Sequence, residues 1–505
     1  MITLPQRPAG NIIAALAAGA IGVFAFAPFY FWPAALVSLV GLFLLQAGAT
    51  SKKRAALVGL SWGMGLFAAG VSWLYISLHE FGGMPAALSA FAIFIFCAYL
   101  SLFPMLAAVL AQWLRRGASP LVTLLVIFPA TFVLGEIVRG WFLTGFPWLI
   151  MGYTQTPGGL LPAPLVGLAP IVGAFGISWV LALTAGVFVM CASRPVGRHI
   201  GISAGAGWLA AVALGLIAWS APTGAPISVA LLQGNISQSL KWREDQIGPT
   251  LQNYRDLVVA SPAKLVVMPE TALPYGYQAA DQDYLAQMKA AVSARGGDLI
   301  TGTIGFEPSK VDPGMRIAFN SAISVGAAPS QRYDKKHLVV FGEFVPDVLA
   351  WVMVWLNIPM SSLGRGTASP QPMQVADTKV AVNICYEDAF GSEIAVQLPE
   401  AEMLVNISNM AWFGHSLAAA QQAQFSQMRS LETARWSLRS TNTGLTAAIN
   451  ERGVIVQALP QYKRGALEVQ VQPRAGATPY VRWRDWPVLV GLAVLLIIAL
   501  RKRRD

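Results

Sequence analysis

Val382-Asn383-Ile384-Cys385-Tyr386-Glu387-Asp388 begins as an apolar, β-branched run and ends on a thiol followed by two acids. A buried strand that delivers a reactive side chain into a loop is how scaffolds commonly present chemistry. Two other segments are built the same way: Val266-Val267-Met268-Pro269-Glu270 and Tyr333-Asp334-Lys335-Lys336-His337-Leu338. Further short β-rich runs fall at 227–232, 299–304, 318–325 and 403–407, and 416–439 reads as the clearest helix. Short buried strands alternating with helices predict an α/β layered domain.

The three reactive side chains make chemical sense together. A thiol attacks as its thiolate, so a nucleophilic Cys385 needs a proton acceptor and a nearby positive charge. Glu270 can supply the first and Lys335 the second. Attack on an acyl carbon creates an oxyanion, for which the Lys335 ammonium and the Tyr386 backbone N–H are the natural donors. Taken singly, each has an ordinary reading: a strand-end Cys as a small buried hydrophobe, Glu270 as a helix cap, and Lys335 beside Lys336 as a solvated pair.

Outward from these segments the chain changes character. Of its 505 residues, 55% are apolar and 12% charged, and the mean hydropathy is +0.55, which calls for a membrane. Residues 1–220 contain only two acids, Glu80 and Glu136. Apolar runs near 10–27, 30–48, 55–76, 86–113, 119–138, 165–192, 200–219 and 486–500 predict eight spans, given that a crossing takes ~20 residues. Ala25-Phe26-Ala27 has a small-x-small pattern, but Pro28 and a second apolar run follow at once, so an uncleaved first helix is expected.

Loop charge sets the expected orientation. Arg7, Lys52, Lys53, Arg54, Arg115, Arg116, Arg194, Arg198 and the tail Arg501, Lys502, Arg503 and Arg504 fall on one side of an eight-span layout, with Arg139 on the other. Basic loops stay cytoplasmic, which puts both termini inside and residues 221–484 outside. That block holds 22 Lys+Arg against 21 Asp+Glu, leaving +9 of the net +10 to the apolar segments. The basic excess therefore reflects topology and offers no face for nucleic acid. Glu136 with Arg139 one turn on reads as an interfacial ion pair. Cys97 and Cys191 lie in apolar runs, so the external block has no internal disulfide.

Together, the Glu270, Lys335 and Cys385 segments resemble the nitrilase superfamily, as does Arg435-Trp436-Ser437-Leu438-Arg439-Ser440-Thr441-Asn442-Thr443-Gly444. Further strings are similar to the apolipoprotein N-acyltransferase family: Gln233-Gly234-Asn235-Ile236-Ser237-Gln238-Ser239-Leu240-Lys241-Trp242, Pro269-Glu270-Thr271-Ala272, Phe341-Gly342-Glu343-Phe344-Val345-Pro346, and Ser408-Asn409-Met410-Ala411-Trp412-Phe413-Gly414. Val340 departs from the Pro expected there. The resemblance implies a polytopic membrane bundle of eight spans carrying an αββα nitrilase-like sandwich. Its parts would be 1–220, 221–484 and 485–505, in the inner membrane of a bacterium with the catalytic part periplasmic.

The same resemblance implies a function. Cys385 would take an acyl chain from a phospholipid, typically phosphatidylethanolamine, as a thioester, and pass it to the α-amino group of an apolipoprotein's lipidated N-terminal cysteine. Glu270 would be base and then acid, Lys335 the oxyanion partner, and Glu343 a carboxylate orienting Lys335 or the amine. Tyr386 and Glu387 would support the site, and Trp242 and Trp412 would line the substrate entrance. No metal or cofactor is expected, and the few His residues show no ligand spacing.

A lipid substrate is suggested independently by Val348–Met360, a stretch too apolar for an ordinary surface and too short to span. It contains Trp351 and Trp355, which favour the membrane interface, and reads as a lid or arm. The Gly364-Arg365-Gly366 and Ser369-Pro370 stretch after it reads as mobile. His415 and a helix from Glu432 to Arg439 read as scaffold. Two other functions compete: a membrane-anchored nitrilase-type amidase that passes the acyl group to water, and a non-enzymatic transporter with an external domain. A single anchor would serve the first, and the second calls for mid-membrane charge that the spans lack.

Overall fold

A computed structural model describes residues 8–193, 198–274, 282–309, 314–346 and 362–504. The chain forms two compact units: Met1–Ala218 with His415–Gln424 and Arg482–Asp505, and Trp219–Gly414 with Phe425–Val481.

The first unit is helical because its sequence is apolar on all sides. By length and composition four helices can cross a membrane: Lys52–Val71, Ala86–Leu114, Pro120–Arg139 and Val166–Ala192. Four more apolar helices, Ala9–Ala25, Pro33–Gly48, His199–Leu214 and Trp486–Arg501, are shorter. Small residues let these helices approach closely, as expected where there is no water to squeeze out. A Cβ on Gly59 would lie 2.8 Å from the Met105 Cα, and one on Gly63 2.8 Å from the Ser101 Cα.

Glu136 and Arg139, expected as an interfacial ion pair, are both buried. Glu136 Oε1 accepts from the Met151 N–H at 2.8 Å. Arg139 Nη1 donates to the Phe146 and Trp148 carbonyls at 2.6 and 2.5 Å, and its guanidinium lies over the Phe67 ring. In apolar surroundings a charged group needs hydrogen-bond partners, and here both charges take them from the backbone of the same returning segment.

His415–Gln424 packs within this first unit and contributes polar side chains to it. Gln421 Oε1 accepts from Trp148 Nε1 at 2.7 Å and Trp73 Nε1 at 3.1 Å, while its Nε2 donates to the Gly70 carbonyl. Gln424 accepts from the Ala27 N–H and donates to the Tyr153 carbonyl and the Thr156 hydroxyl.

The second unit contains two six-stranded mixed sheets. The strands are β1 Ala221–Pro222, β2 Ile227–Gln233, β3 Leu265–Val267, β4 Asp298–Pro308, β5 Arg316–Gly326, β6 Arg332–Asp334, β7 Met373–Val375, β8 Thr378–Ile384, β9 Met403–Ser408, β10 Ser437–Thr441, β11 Ala447–Ile449, β12 Ile455–Ala458, β13 Gly465–Val471 and β14 Arg474–Ala475. One sheet runs β13-β2-β3-β4-β5-β6 and the other β12-β11-β10-β9-β8-β7, with β1 and β14 forming a small separate pair. Each large sheet has a parallel centre, β2-β3-β4 and β10-β9-β8, flanked by antiparallel strands.

Strand periodicity sorts the side chains between layers. Val229, Leu231 and Val267 meet Val382, Ile384, Val405 and Ile407 in one core between the sheets. Ala230, Leu232 and Val266 face outward onto Tyr254, Val258, Met288 and Val292 of helices Glu244–Ala260 and Gln282–Ser293. The helix expected over 416–439, and with it the 432–439 scaffold helix, ends earlier. It runs Ala418–Thr433, and Ser437–Thr441 pairs with β9 as a strand. Ala434 turns the chain at φ +52, and the buried Arg435 guanidinium donates to the Thr433 and Ala434 carbonyls that close the helix.

Gln421→Leu removes the acceptor that Trp148 and Trp73 share. An unmet buried donor costs about 1–3 kcal/mol, so the variant should melt at a lower temperature than the parent in detergent. An unchanged melting curve would show that these glutamine contacts contribute nothing to the helical unit.

Candidate active site

The central parallel strands end at one edge, where a layered α/β fold keeps its sites. Glu270 lies just beyond β3, Cys385 directly follows β8, and Asn409 directly follows β9. Lys335 follows β6, the edge strand of the first sheet.

These ends converge on one another. Lys335 Nζ, 1% exposed, lies 2.9 Å from the Glu343 carboxylate and 3.8 Å from Glu270 Oε1. Asn320 Nδ2 bridges the two acids, 2.7 Å from Glu270 Oε1 and 2.8 Å from Glu343 Oε1. The other Glu270 oxygen accepts from the Asn409 N–H at 2.8 Å, and Glu343 Oε2 accepts from the Val339 N–H. Both carboxylates are thus fixed in place before any substrate arrives.

Electrostatics ties Cys385 to this group. Burial, then the Glu270 charge, pushes its thiol up to about 12, with Lys335 pulling the other way. The residue nonetheless keeps a partial opening to solvent. Burial by itself lowers the Lys335 ammonium, but Glu343, Glu270 and Cys385 outweigh it and hold the cation above the ordinary lysine range. In the resting site the surroundings thus favour the thiol form of Cys385 and the charged form of Lys335.

Cys385 sits at φ +55, a left-handed conformation that a side-chain-bearing residue adopts only under constraint. The constraint is visible. Asn406 Nδ2 donates to the Cys385 carbonyl at 3.2 Å, and Asn406 Oδ1 accepts from Arg439 Nη1 at 2.9 Å and from the Ser408 hydroxyl. Arg439, fully buried, pairs with Asp388 at 3.2 Å. Asn320, Asn406 and Arg439 are the residues that the sequence reading does not single out. For Asn406 the available signal is a polar side chain between Val405 and Ile407, whereas Asn320 and Arg439 each adjoin a serine and carry no such signal.

Glu387 and Tyr386 have distinct surroundings. Glu387 Oε2 accepts from the Ile384 N–H and the Tyr333 hydroxyl, at 2.7 and 2.8 Å. Its Oε1 accepts from the Lys336 and His337 N–H groups. One buried carboxylate thus ties the end of β8 to the segment carrying Lys335. The Tyr386 ring packs edge-on against Phe390, on which His337 stacks.

Trp242 and Trp412 are 51% and 39% exposed, on loops that also hold Glu270. Lys241, next to Trp242, donates to the Glu270 carbonyl, and Asn409 precedes Trp412 by three residues. Trp351, Trp355 and the apolar stretch around them lie outside the described residues. The mobility expected of 364–366 is not what the structure shows. Leu363, Gly364 and Gly366 N–H groups donate to the carbonyls of Glu343, Ala318 and Lys335 at 2.9, 2.7 and 2.9 Å. A Cβ at Gly366 would collide with the Asp334 carbonyl, so the glycine is there for close approach and not for freedom.

Glu270, Lys335 and Cys385 thus stand at the strand ends of a two-sheet sandwich, and the family model for carbon-nitrogen hydrolase matches residues 228–480. The model for the apolipoprotein N-acyltransferase N-terminal domain matches 18–187. An apolipoprotein N-acyltransferase of Nitrosomonas europaea is 44% identical over 489 residues, 96% of either chain. Relatives of the same name from Chromobacterium violaceum and Methylococcus capsulatus are each 40% identical, over 99% and 98% of this chain and 95% and 96% of theirs. The chain belongs to the apolipoprotein N-acyltransferase family.

Glu387→Gln tests the tie directly, because an amide nitrogen cannot accept and must face a donor. Loss of stability of about 1–3 kcal/mol is expected in a thermal melt, together with loss of activity. Tyr333→Phe removes a single donor and should cost about 1 kcal/mol. Full activity in the Glu387→Gln protein would contradict this role.

Proposed function

We propose that the protein transfers a fatty acyl chain from a phospholipid, through a thioester on Cys385, to the α-amino group of the lipidated N-terminal cysteine of an apolipoprotein. The observation that carries this reading is the convergence of Glu270, Lys335 and Glu343 around one thiol, in a chain whose other half is apolar helix.

In the first half-reaction Glu270 accepts the thiol proton as the sulfur attacks the ester carbonyl. A thiol held up near 12 makes this general-base step necessary, because little thiolate exists beforehand. The oxyanion is met by the Lys335 ammonium and the Tyr386 N–H, each such donor contributing about 3 kcal/mol. Collapse breaks the ester C–O bond, and Glu270 returns its proton to the departing lysophospholipid oxygen. In the second half-reaction the lipoprotein amine attacks the thioester and loses a proton to Glu270. The C–S bond breaks, and the same proton restores the Cys385 thiol. Glu343 keeps Lys335 aimed throughout.

Phosphatidylethanolamine is the proposed donor, and Trp242 and Trp412 the walls of its entrance. Trp351 and Trp355 belong to the proposed membrane-dipping arm. Residues 1–220 would supply seven spans, 221–484 the external catalytic domain, and 485–505 the last span with a cytoplasmic basic tail. The four long and four shorter apolar helices fit eight crossings, and the basic short loops favour cytoplasmic termini with the catalytic domain in the periplasm.

Purified protein mixed with phosphatidylethanolamine micelles should gain a fatty-acyl mass on Cys385 that hydroxylamine removes, and a diacylglyceryl-peptide amine should discharge it. Cys385→Ala should abolish both events. Hydrolysis of small amides, with no acyl mass on the cysteine and no lysophospholipid released, would overturn the reading.

A further inference from the structure

The proposed chemistry leaves one buried ammonium beside the base without a task. Lys241 is 3% exposed. Its Nζ donates to the Glu270 carbonyl at 3.2 Å and to the Thr271 hydroxyl. Burying a lysine is costly unless its charge meets a partner, so this one has to be explained.

Its partner is a strained turn. Thr271 sits at φ +46, a conformation that a β-branched residue resists. Gly302 packs against the same turn from β4, where a Cβ would lie 2.6 Å from the Glu270 Cα. The turn is therefore pressed on by β4 and gripped by Lys241. The loop that carries Lys241 is itself fixed: the Gln238 side chain accepts from Asn409 Nδ2 at 2.7 Å, and the Ile236 N–H and carbonyl bond to the Asn442 side chain.

Charge accounting points to the same residue. The titratable groups that interact with the Glu270 charge include Lys335, Cys385, Arg439 and Lys241. Lys335 lies closer to Glu343 than to Glu270, and Arg439 is paired with Asp388. Lys335 is thus divided between two acids, and Lys241, held at the Glu270 carbonyl, adds a second positive charge near that carboxylate. Burial brings its ammonium down to about 8, and Glu270 is the group that holds it up.

We infer that Lys241 is a positioning residue for the base: its grip on the Glu270 carbonyl and Thr271 hydroxyl fixes the turn that aims the Glu270 carboxylate, and its charge offsets that carboxylate. This rests on the reading of Glu270 as the base. Displacing a reacting group by about 1 Å costs about 100-fold in rate, and removing a nearby positive charge makes a carboxylate easier to protonate.

The test uses the full-length protein in phosphatidylethanolamine micelles and follows single-turnover acylation of Cys385 as a function of pH. Lys241→Met should slow acylation by about 100-fold with donor KM unchanged, and should move the acid limb of the profile to higher pH. Lys241→Arg should keep the limb in its original place. Thr271→Val, which keeps the shape and loses the hydroxyl, should slow acylation without moving the limb, and it stands as the test should Lys241→Met not fold. A Lys241→Met protein with the parent's rate and limb would overturn the inference, as would a Thr271→Val protein with the parent's rate. Glu270→Gln separates the two readings: acylation at the parent rate in that variant would remove the base assignment itself.

Discussion

One ammonium shared by two carboxylates holds this site together. Lys335 is almost entirely buried, and a buried cation is tolerable only when charged and hydrogen-bonding partners surround it. Glu343 and Glu270 provide that, with Asn320 keeping the two acids in register. Removing either acid would leave the ammonium with a single carboxylate partner, so the placement of each of the three groups depends on the other two. Their joint field also determines the resting state of the sulfur, because Glu270 and Glu343 both oppose a thiolate while Lys335 and Arg439 favour one.

The fold serves this arrangement by bringing strand ends to one edge. The two large sheets each have three parallel strands at the centre, and β3, β8 and β9 deliver Glu270, Cys385 and Asn409 there. Behind the edge, the buried network of Asn406, Arg439 and Asp388 holds the Cys385 turn. Glu387 binds the Lys335 segment to the same strand end. The site is thus supported through backbone groups as much as through side chains, which is how geometry is kept while protons move.

Glu270 and Cys385 are legible because each ends an apolar run of strand period, whereas Lys335, after the polar Gln331-Arg332-Tyr333-Asp334, is legible through the family resemblance. Asn320, Asn406 and Arg439 were not legible, since their partners come from strands far apart in the chain. The helix expected over 416–439 ran too far because Ser437-Leu438-Arg439-Ser440-Thr441 gains its strand character from pairing with β9, a tertiary effect. Gly364 and Gly366 were read as freedom, whereas a sequence cannot distinguish a glycine that bends from one that makes room. The spacing of Glu136 and Arg139 suggests a pair, and what it does not show is that both are buried and that the returning segment from Phe146 to Met151 bonds to each of them.

The most direct measurement is the pH dependence of Cys385 alkylation by iodoacetamide in the parent protein, where burial and the Glu270 charge both oppose a thiolate. A sulfur kept protonated by its surroundings should alkylate faster and faster as pH rises well past the ordinary cysteine range of about 8.5. A rate that levels off near neutral pH would mean a preformed thiolate, and would contradict the account of a thiol activated only as Glu270 takes its proton.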